Sequence, residues 1–219
     1  MFGRGWYTLV HSVVAPGQSI GEQLAARGIR PRDLDYVLFS HLDPDHIAGI
    51  SEVRGAKRLL VPEEEYFWSC RVNLRYTSRR LWIDEPPERF WYRVNHIGPE
   101  SRSYDLFGDD SVHLVHIASH TEGMFAALIR NGERYVLLNA DGAASPRSWA
   151  DGTVPGICKN SVRAKKSAQL DRQHEPRSRV RGVAVQPRSR YSTANDRILE
   201  CIRSFFLIHI SYRFCGFWG

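Results

Sequence analysis

Residues 37–50 read VLFSHLDPDHIAGI and place His41, Asp43, Asp45 and His46 within six positions, directly after an apolar run. Neutral imidazole and carboxylate together are a donor set for Zn²⁺, Fe²⁺ or Mn²⁺. In an extended or tightly turned segment His41 and Asp43, two residues apart, point the same way. Asp45 and His46 lie past the turn and can enter the same hollow from another side. Four donors so arranged suit a pair of neighbouring metal ions better than one. A surface Asp-Pro-Asp turn is the plain alternative for this stretch taken alone.

The elements around the stretch decide between the two. WYTLVHSVV (6–14) reads as a strand and APGQ breaks it. Residues 19–29 read as a helix: Ser19 is the N-cap, Glu22 follows three residues on, and Gly28 stops it. PRDLDYVLFS gives a turn and a buried strand that delivers the quoted motif. Residues 46–55 begin a helix that Gly55 ends, and 58–69 read as a short strand, a proline turn and a helix with three acidic residues in its first turn. Residues 70–104 are rich in Arg, Trp and Tyr with little periodicity and suggest a helix and a lid-like excursion. SVHLVHI (111–117) is a strand, followed by the turn ASHTEG. MFAALIR (124–130) and RYVLLNA (134–140) form a hairpin about NGE. His120 and Asp141 therefore also stand at strand ends, where loops commonly carry catalytic groups.

Composition narrows the class. The chain has 219 residues, 42% hydrophobic and 25% charged, as a globular domain does. Its longest apolar run, FFLIHI (205–210), is far short of the roughly 20 residues of a membrane span, and the N-terminus lacks a signal-peptide layout. Cys70, Cys158, Cys201 and Cys215 are scattered, which makes a reducing cytoplasm the default. The net charge of +6 is uneven: residues 1–160 balance at −2 and residues 161–219 at +8. The basic character thus belongs to the tail and is no nucleic-acid signal for the whole chain. The domain expected over 1–160 is followed by an atypical tail over 161–219, Arg/Ser-rich and then apolar.

SHLDPDHIAG, HIASHTEGM and YVLLNADGA, in this order, resemble the metal-binding motifs of the metallo-β-lactamase superfamily, nearest its single-domain lactonase-like branch, over roughly residues 7–160. The resemblance implies an α/β fold, the four-layer αβ/βα sandwich of that superfamily, here incomplete. It implies that His41, Asp43 and His120 hold one metal, that Asp45, His46 and one further histidine hold a second, and that Asp141 bridges them. The ions would be two divalent metals, zinc first, with iron or manganese as alternatives. Water activated between them would attack an ester, lactone or thioester carbonyl, with Asp45 orienting it and accepting its proton. The partner implied is a small-molecule substrate, with no nucleic acid and no membrane.

The sequence also departs from the family pattern. Asp43 stands where histidine is usual and adds negative charge, which favours harder ions such as iron or manganese. Ala118 and Ser119 replace Pro-Gly, and Ser119 must take backbone angles that glycine adopts more easily. The chain starts almost inside the first recognisable unit. No His-Asp pair follows Asp141, since His174 and His209 lie in contexts that do not match. The charge jump, the lost periodicity and the missing ligand all begin near Lys166. They suggest a frame-shifted or divergent tail and, with it, an unpaired sheet edge. His116 is expected to point outward. Packing is expected of Trp68, Trp82, Phe90, Trp91 and Tyr92, with an aromatic substrate wall as the sharper idea. Three other functions compete with the hydrolase: an inactive member of the fold with an incomplete metal site, a diiron redox protein and a nuclease.

Overall fold

The computed structural model describes residues 14–71, 74–118, 120–132, 134–142, Val162, Lys165 and 205–207. Residues 6–13 of the strand expected over 6–14, Ser119, three of the four cysteines, His174, His209 and the Arg/Ser-rich stretch lie outside the described residues. Those described fall into two compact units: one within Met1–Val61, Ser69–Glu88 and Ile202–Gly219, the other within Pro62–Trp68 and Arg89–Cys201. None of the described helices is long and apolar enough to cross a membrane.

The first unit opens with α1 (Ile20–Ala25). The expected cap is present in full: Ser19 Oγ accepts from the Glu22 amide, and the Glu22 carboxylate accepts from the Ser19 amide at 3.0 Å. Such a reciprocal cap is worth about 1 kcal/mol. Ser19 Oγ also donates to Glu52 at 2.7 Å, tying α1 to the helix Ile50–Val53. After a 3-10 turn (Pro31–Asp33) comes β1 (Tyr36–Leu38), whose Val37 and Leu38 are buried.

Here the structure refines the expected helix over 46–55. It is two short helices, α2 (Pro44–Ile47) and α3 (Ile50–Val53), broken at Gly49. Proline at the first position of α2 starts that helix without a lost hydrogen bond, and Leu42, Ile47, Ile50 and Val53 anchor both segments in the core. β2 (Arg58–Pro62) pairs in parallel with β1, Val37 opposite Leu59. A 3-10 segment (Leu74–Leu81) packs beside α2, with Ser78 Oγ donating to the Leu42 carbonyl at 3.2 Å. β3 (Glu88–Phe90) and β9 (Phe205–Leu207) complete a four-stranded sheet of order β3-β2-β1-β9. β9 runs parallel to β1, Val37 opposite Phe206, so the edge expected to be open is paired by backbone from the tail.

The second unit contains α4 (Glu63–Ser69), which begins with the three expected glutamates. Its sheet has the order β4-β5-β6-β7-β8, antiparallel throughout. The strands are β4 (Arg93–Val94), β5 (Arg102–Asp105), β6 (Val112–His116), β7 (Phe125–Asn131) and β8 (Arg134–Leu138). The last three match the strand and hairpin expected from the sequence. β3, β4 and β5 come from the region without clean periodicity. Val115, Ile117, Met124, Ala126 and Leu128 form the core of this unit.

Candidate metal centre

The first unit supplies four of the expected ligands. β1 ends at Leu38, and the chain leaves it through Phe39 and Ser40 while still in the core; His41 is fully buried. Its Nδ1 lies 3.1 Å from Ser40 Oγ. With hydrogen on Nδ1 donating to that oxygen, the Nε2 lone pair is turned toward Asp43, whose Oδ2 is 3.6 Å away. Asp43 sits at the N-cap of α2, yet its side chain makes no capping hydrogen bond. The first turn of α2 then carries Asp45, and His46 follows, its Nε2 3.7 Å from Asp45 Oδ2. The His41 and His46 rings approach to 3.9 Å between centroids. Asp45 is the most solvent-open of the four, its side chain 41% exposed.

The carboxylate of Asp43 is claimed by Arg75. The Arg75 guanidinium reaches both oxygens, Nε to Oδ1 and the terminal nitrogen to Oδ2, each at 2.6 Å. This fork is the strongest geometry open to an arginine and a carboxylate. From the sequence Asp43 is an added negative charge, but in the structure a positive one stands against it. Nothing in the spacing of residues 70–80 pointed to Arg75, because it comes from a 3-10 segment, which has no apolar period to read.

The second unit supplies the other two expected ligands. His120 Nε2 lies 3.4 Å from Asp141 Oδ2. Asp141 stands in a 3-10 turn (Ala140–Gly142) just after β8, and Ala140 before it has φ of +47°. That backbone region disfavours a residue with a Cβ, so the chain is strained next to Asp141.

Three side chains fix the turn that carries His120. His116 Nε2–H donates to the Glu122 carbonyl at 2.9 Å, the Tyr92 hydroxyl donates to the Gly123 carbonyl at 2.7 Å, and Glu65 accepts from the Gly123 amide at 3.2 Å. Gly123 is required by closeness: a Cβ there would lie 2.1 Å from the Glu65 backbone nitrogen. The expectation that His116 points outward is corrected. Only 2% exposed, it is stacked on Tyr92 with ring centroids 4.5 Å apart. Residues on both faces of β6 are buried, so alternation gives no outward position there.

Burial pushes the His116 pKa below that of an ordinary histidine. The Glu122 carbonyl opposes the shift, Arg102 adds to it, and Glu64 and Glu100 act against it. Burial, aided by Glu64 and Glu65 and opposed by Arg102, pushes the Tyr92 hydroxyl well above the ordinary tyrosine value.

Of the aromatic residues expected to pack, Trp82, Phe90 and Tyr92 are buried, while Trp91 is 59% exposed. A further acidic cluster, Asp105, Asp110 and His113, is a turn rather than a centre. Asp105 accepts from the amides of Phe107, Gly108 and Asp110, and His113 lies between Ser103 and Asp110.

The two ligand sets fit divalent metal. Two donors held about 2.0–2.1 Å from a tetrahedral zinc lie about 3.3–3.4 Å apart. The separations within the sets are 3.6, 3.7 and 3.4 Å, all between imidazole nitrogen and carboxylate oxygen. That is the spacing of neighbours in one coordination shell.

A fold with strand-end His and Asp sets of this kind defines a class of metal-binding proteins, and the comparisons say which. The sequence model of the metallo-beta-lactamase superfamily matches residues 9–135, and the chain belongs to that superfamily. Among its curated relatives is the N-acyl homoserine lactonase AttM of Rhizobium radiobacter, 26% identical over 72% of this chain and 59% of the relative. AttM of Azorhizobium caulinodans is 29% identical over 67% of this chain and 56% of that protein. The chain thus spans less than two thirds of the length of these relatives. Among solved structures, an N-acyl homoserine lactone hydrolase with N-hexanoyl-L-homoserine at its catalytic metal centre superposes with a TM-score of 0.59 at 20% identity. The superposition covers 74% of this chain and 61% of that one and establishes the fold.

Proposed function

We propose that this chain carries the metal centre of a hydrolase that opens an ester or lactone. Two divalent ions, zinc first, would be held by His41, Asp43, Asp45, His46, His120 and Asp141. One observation carries the reading: three imidazole–carboxylate pairs spaced at 3.4 to 3.7 Å, two after β1 and one joining the segments after β6 and β8. Bound metal supplies Lewis acidity, which makes water a nucleophile near neutral pH and polarises the carbonyl oxygen. Asp45, the ligand most open to solvent, orients that water and accepts its proton. The His41 and His46 rings are buried and in contact, so burial and packing restrict both rings and little reorganisation is needed when metal enters. The substrate is a small molecule. Lactones come first because the AttM relatives carry that name, and simple esters come next.

One observation favours a second reading, an inactive member of the fold: Arg75 occupies both oxygens of Asp43. Metal content of the purified full chain by mass spectrometry, together with hydrolysis of an N-acyl homoserine lactone and a nitrophenyl ester, separates the two. About two metals per chain and hydrolysis, both reduced in Asp45→Ala, support the hydrolase. Bound metal with neither reaction supports the second reading, and no bound metal removes both metal and hydrolase.

A further inference from the structure

The sequence treats Asp43 as a charged replacement for a neutral imidazole. Such a change alone would make the first ligand set more negative and shift it toward harder ions. The structure supplies the missing partner. Arg75 projects from the 3-10 segment Leu74–Leu81 and binds Asp43 side-on, Nε to one oxygen and a terminal nitrogen to the other, both at 2.6 Å. Both side chains are substantially shielded, Asp43 at 10% exposure and Arg75 at 23%, so solvent screens the pair weakly.

We propose that Arg75 is a specificity-determining positioning residue. With Asp43 it forms a charge-neutral unit that stands in for histidine and keeps the centre selective for zinc over manganese. This rests on the reading that position 43 belongs to a metal centre.

Three features support it. An ionised carboxylate offers about four lone-pair positions, and the fork uses two. Oδ2, one of the two oxygens that accept from Arg75, is also the oxygen 3.6 Å from His41 Nε2, so the same atom that meets the guanidinium lies beside the imidazole that would hold metal. And the Asp43 side chain makes no capping hydrogen bond at the start of α2, where an N-cap aspartate ordinarily bonds, while the Arg75 fork reaches both of its oxygens. Arginine suits this role and lysine does not: the planar fork fixes the carboxylate plane, while an ammonium supplies charge without direction.

The test uses the full chain, stripped of metal and re-exposed to equimolar zinc and manganese, with bound metal counted by mass spectrometry and folding followed by circular dichroism. Wild type is expected to take zinc. Arg75→Met is expected to move the bound zinc-to-manganese ratio at least tenfold toward manganese. Asp43→His alone leaves the guanidinium facing imidazole and a dication, and should lose at least half of the bound metal. The double variant Asp43→His with Arg75→Met should recover both zinc content and zinc preference, a rescue that a merely structural role for Arg75 would not give. Arg75→Lys, which keeps the charge without the fork, should move the ratio part of the way toward manganese; it serves if the methionine variant fails to fold, and an unchanged ratio there overturns the proposal equally.

An unchanged ratio in Arg75→Met, a gain of zinc in that variant, or equal zinc in Asp43→His and the double variant would overturn the proposal while leaving the metal centre standing. Wild type that takes up neither ion would overturn it together with the reading it rests on.

Discussion

The turn that carries His41 to His46 and the turn that carries His120 both leave a buried strand and both present imidazole, yet different forces fix them. The first is held by charge. Its central carboxylate is gripped by a guanidinium from a separate segment, and its helix is too short to hold direction by itself. The second is held by shape and neutral hydrogen bonds: a histidine, a tyrosine and a glutamate bond its backbone, and a glycine lies against the backbone of α4. A charge-held turn can change its ligand chemistry when its counter-charge changes. A shape-held turn tolerates almost no change at its contact points.

That contrast breaks most visibly at Gly123. Gly123→Ala would drive a Cβ into backbone that cannot swing aside, and about 3 kcal/mol of stability should be lost. Urea denaturation measures this, and a loss below about 1 kcal/mol would mean the turn is not shape-held. On the charge-held side the backbone has room, and the effect should appear in metal instead. Ser40→Ala removes the oxygen beside His41 Nδ1 and should lower zinc affinity about tenfold with little change in stability. Competition against a chelator reads it, and an unchanged affinity would show that Ser40 does not set the ring.

pH sharpens the comparison further. The folded-state pKa of His116 is depressed below the ordinary value of 6.5 by burial. Between those two values the unfolded chain binds more protons than the folded one, so stability rises with pH. The contribution is full above the ordinary value and is lost as pH falls toward the depressed one. His116→Gln keeps a donor for the Glu122 carbonyl and removes the titration. Its stability should fall less than that of wild type as pH is lowered through the ordinary histidine value. Parallel pH curves for the two proteins would refute it.

The smallest effect is expected at Ala140, whose positive φ glycine adopts without strain. Ala140→Gly should change the unfolding free energy by less than about 1 kcal/mol, toward greater stability. A clear destabilisation would mean the Ala140 methyl packs more than it strains.

Much of this was legible in the sequence. The Ser19–Glu22 cap, the run of glutamates opening α4 and the hairpin about Gly132 all declared themselves, because local chemistry decides each of them. The six candidate ligands declared themselves by type and by position after apolar runs. What stayed hidden depends on partners distant in sequence. Arg75 looks like any arginine until the 3-10 segment brings it to Asp43. His116 looks like an outward residue until both faces of β6 are seen to be covered. β3, β4 and β5 are only two to four residues long, too short for a period-2 pattern to emerge from an aromatic-rich background.

The pairing of β9 with β1 has a consequence for the order in which the chain assembles. β2 meets β1 across a short connection, so that pair can form early. β9 is separated from β1 by most of the chain, and its three-residue ladder must offset the entropy of closing that long loop. On loop-closure entropy the seam between β1 and β9 is expected to close after the pairing of β1 with β2 and to open before it. Each opening presents one side of Tyr36–Leu38 as a bare template, ready to accept a strand from another copy before its own returns.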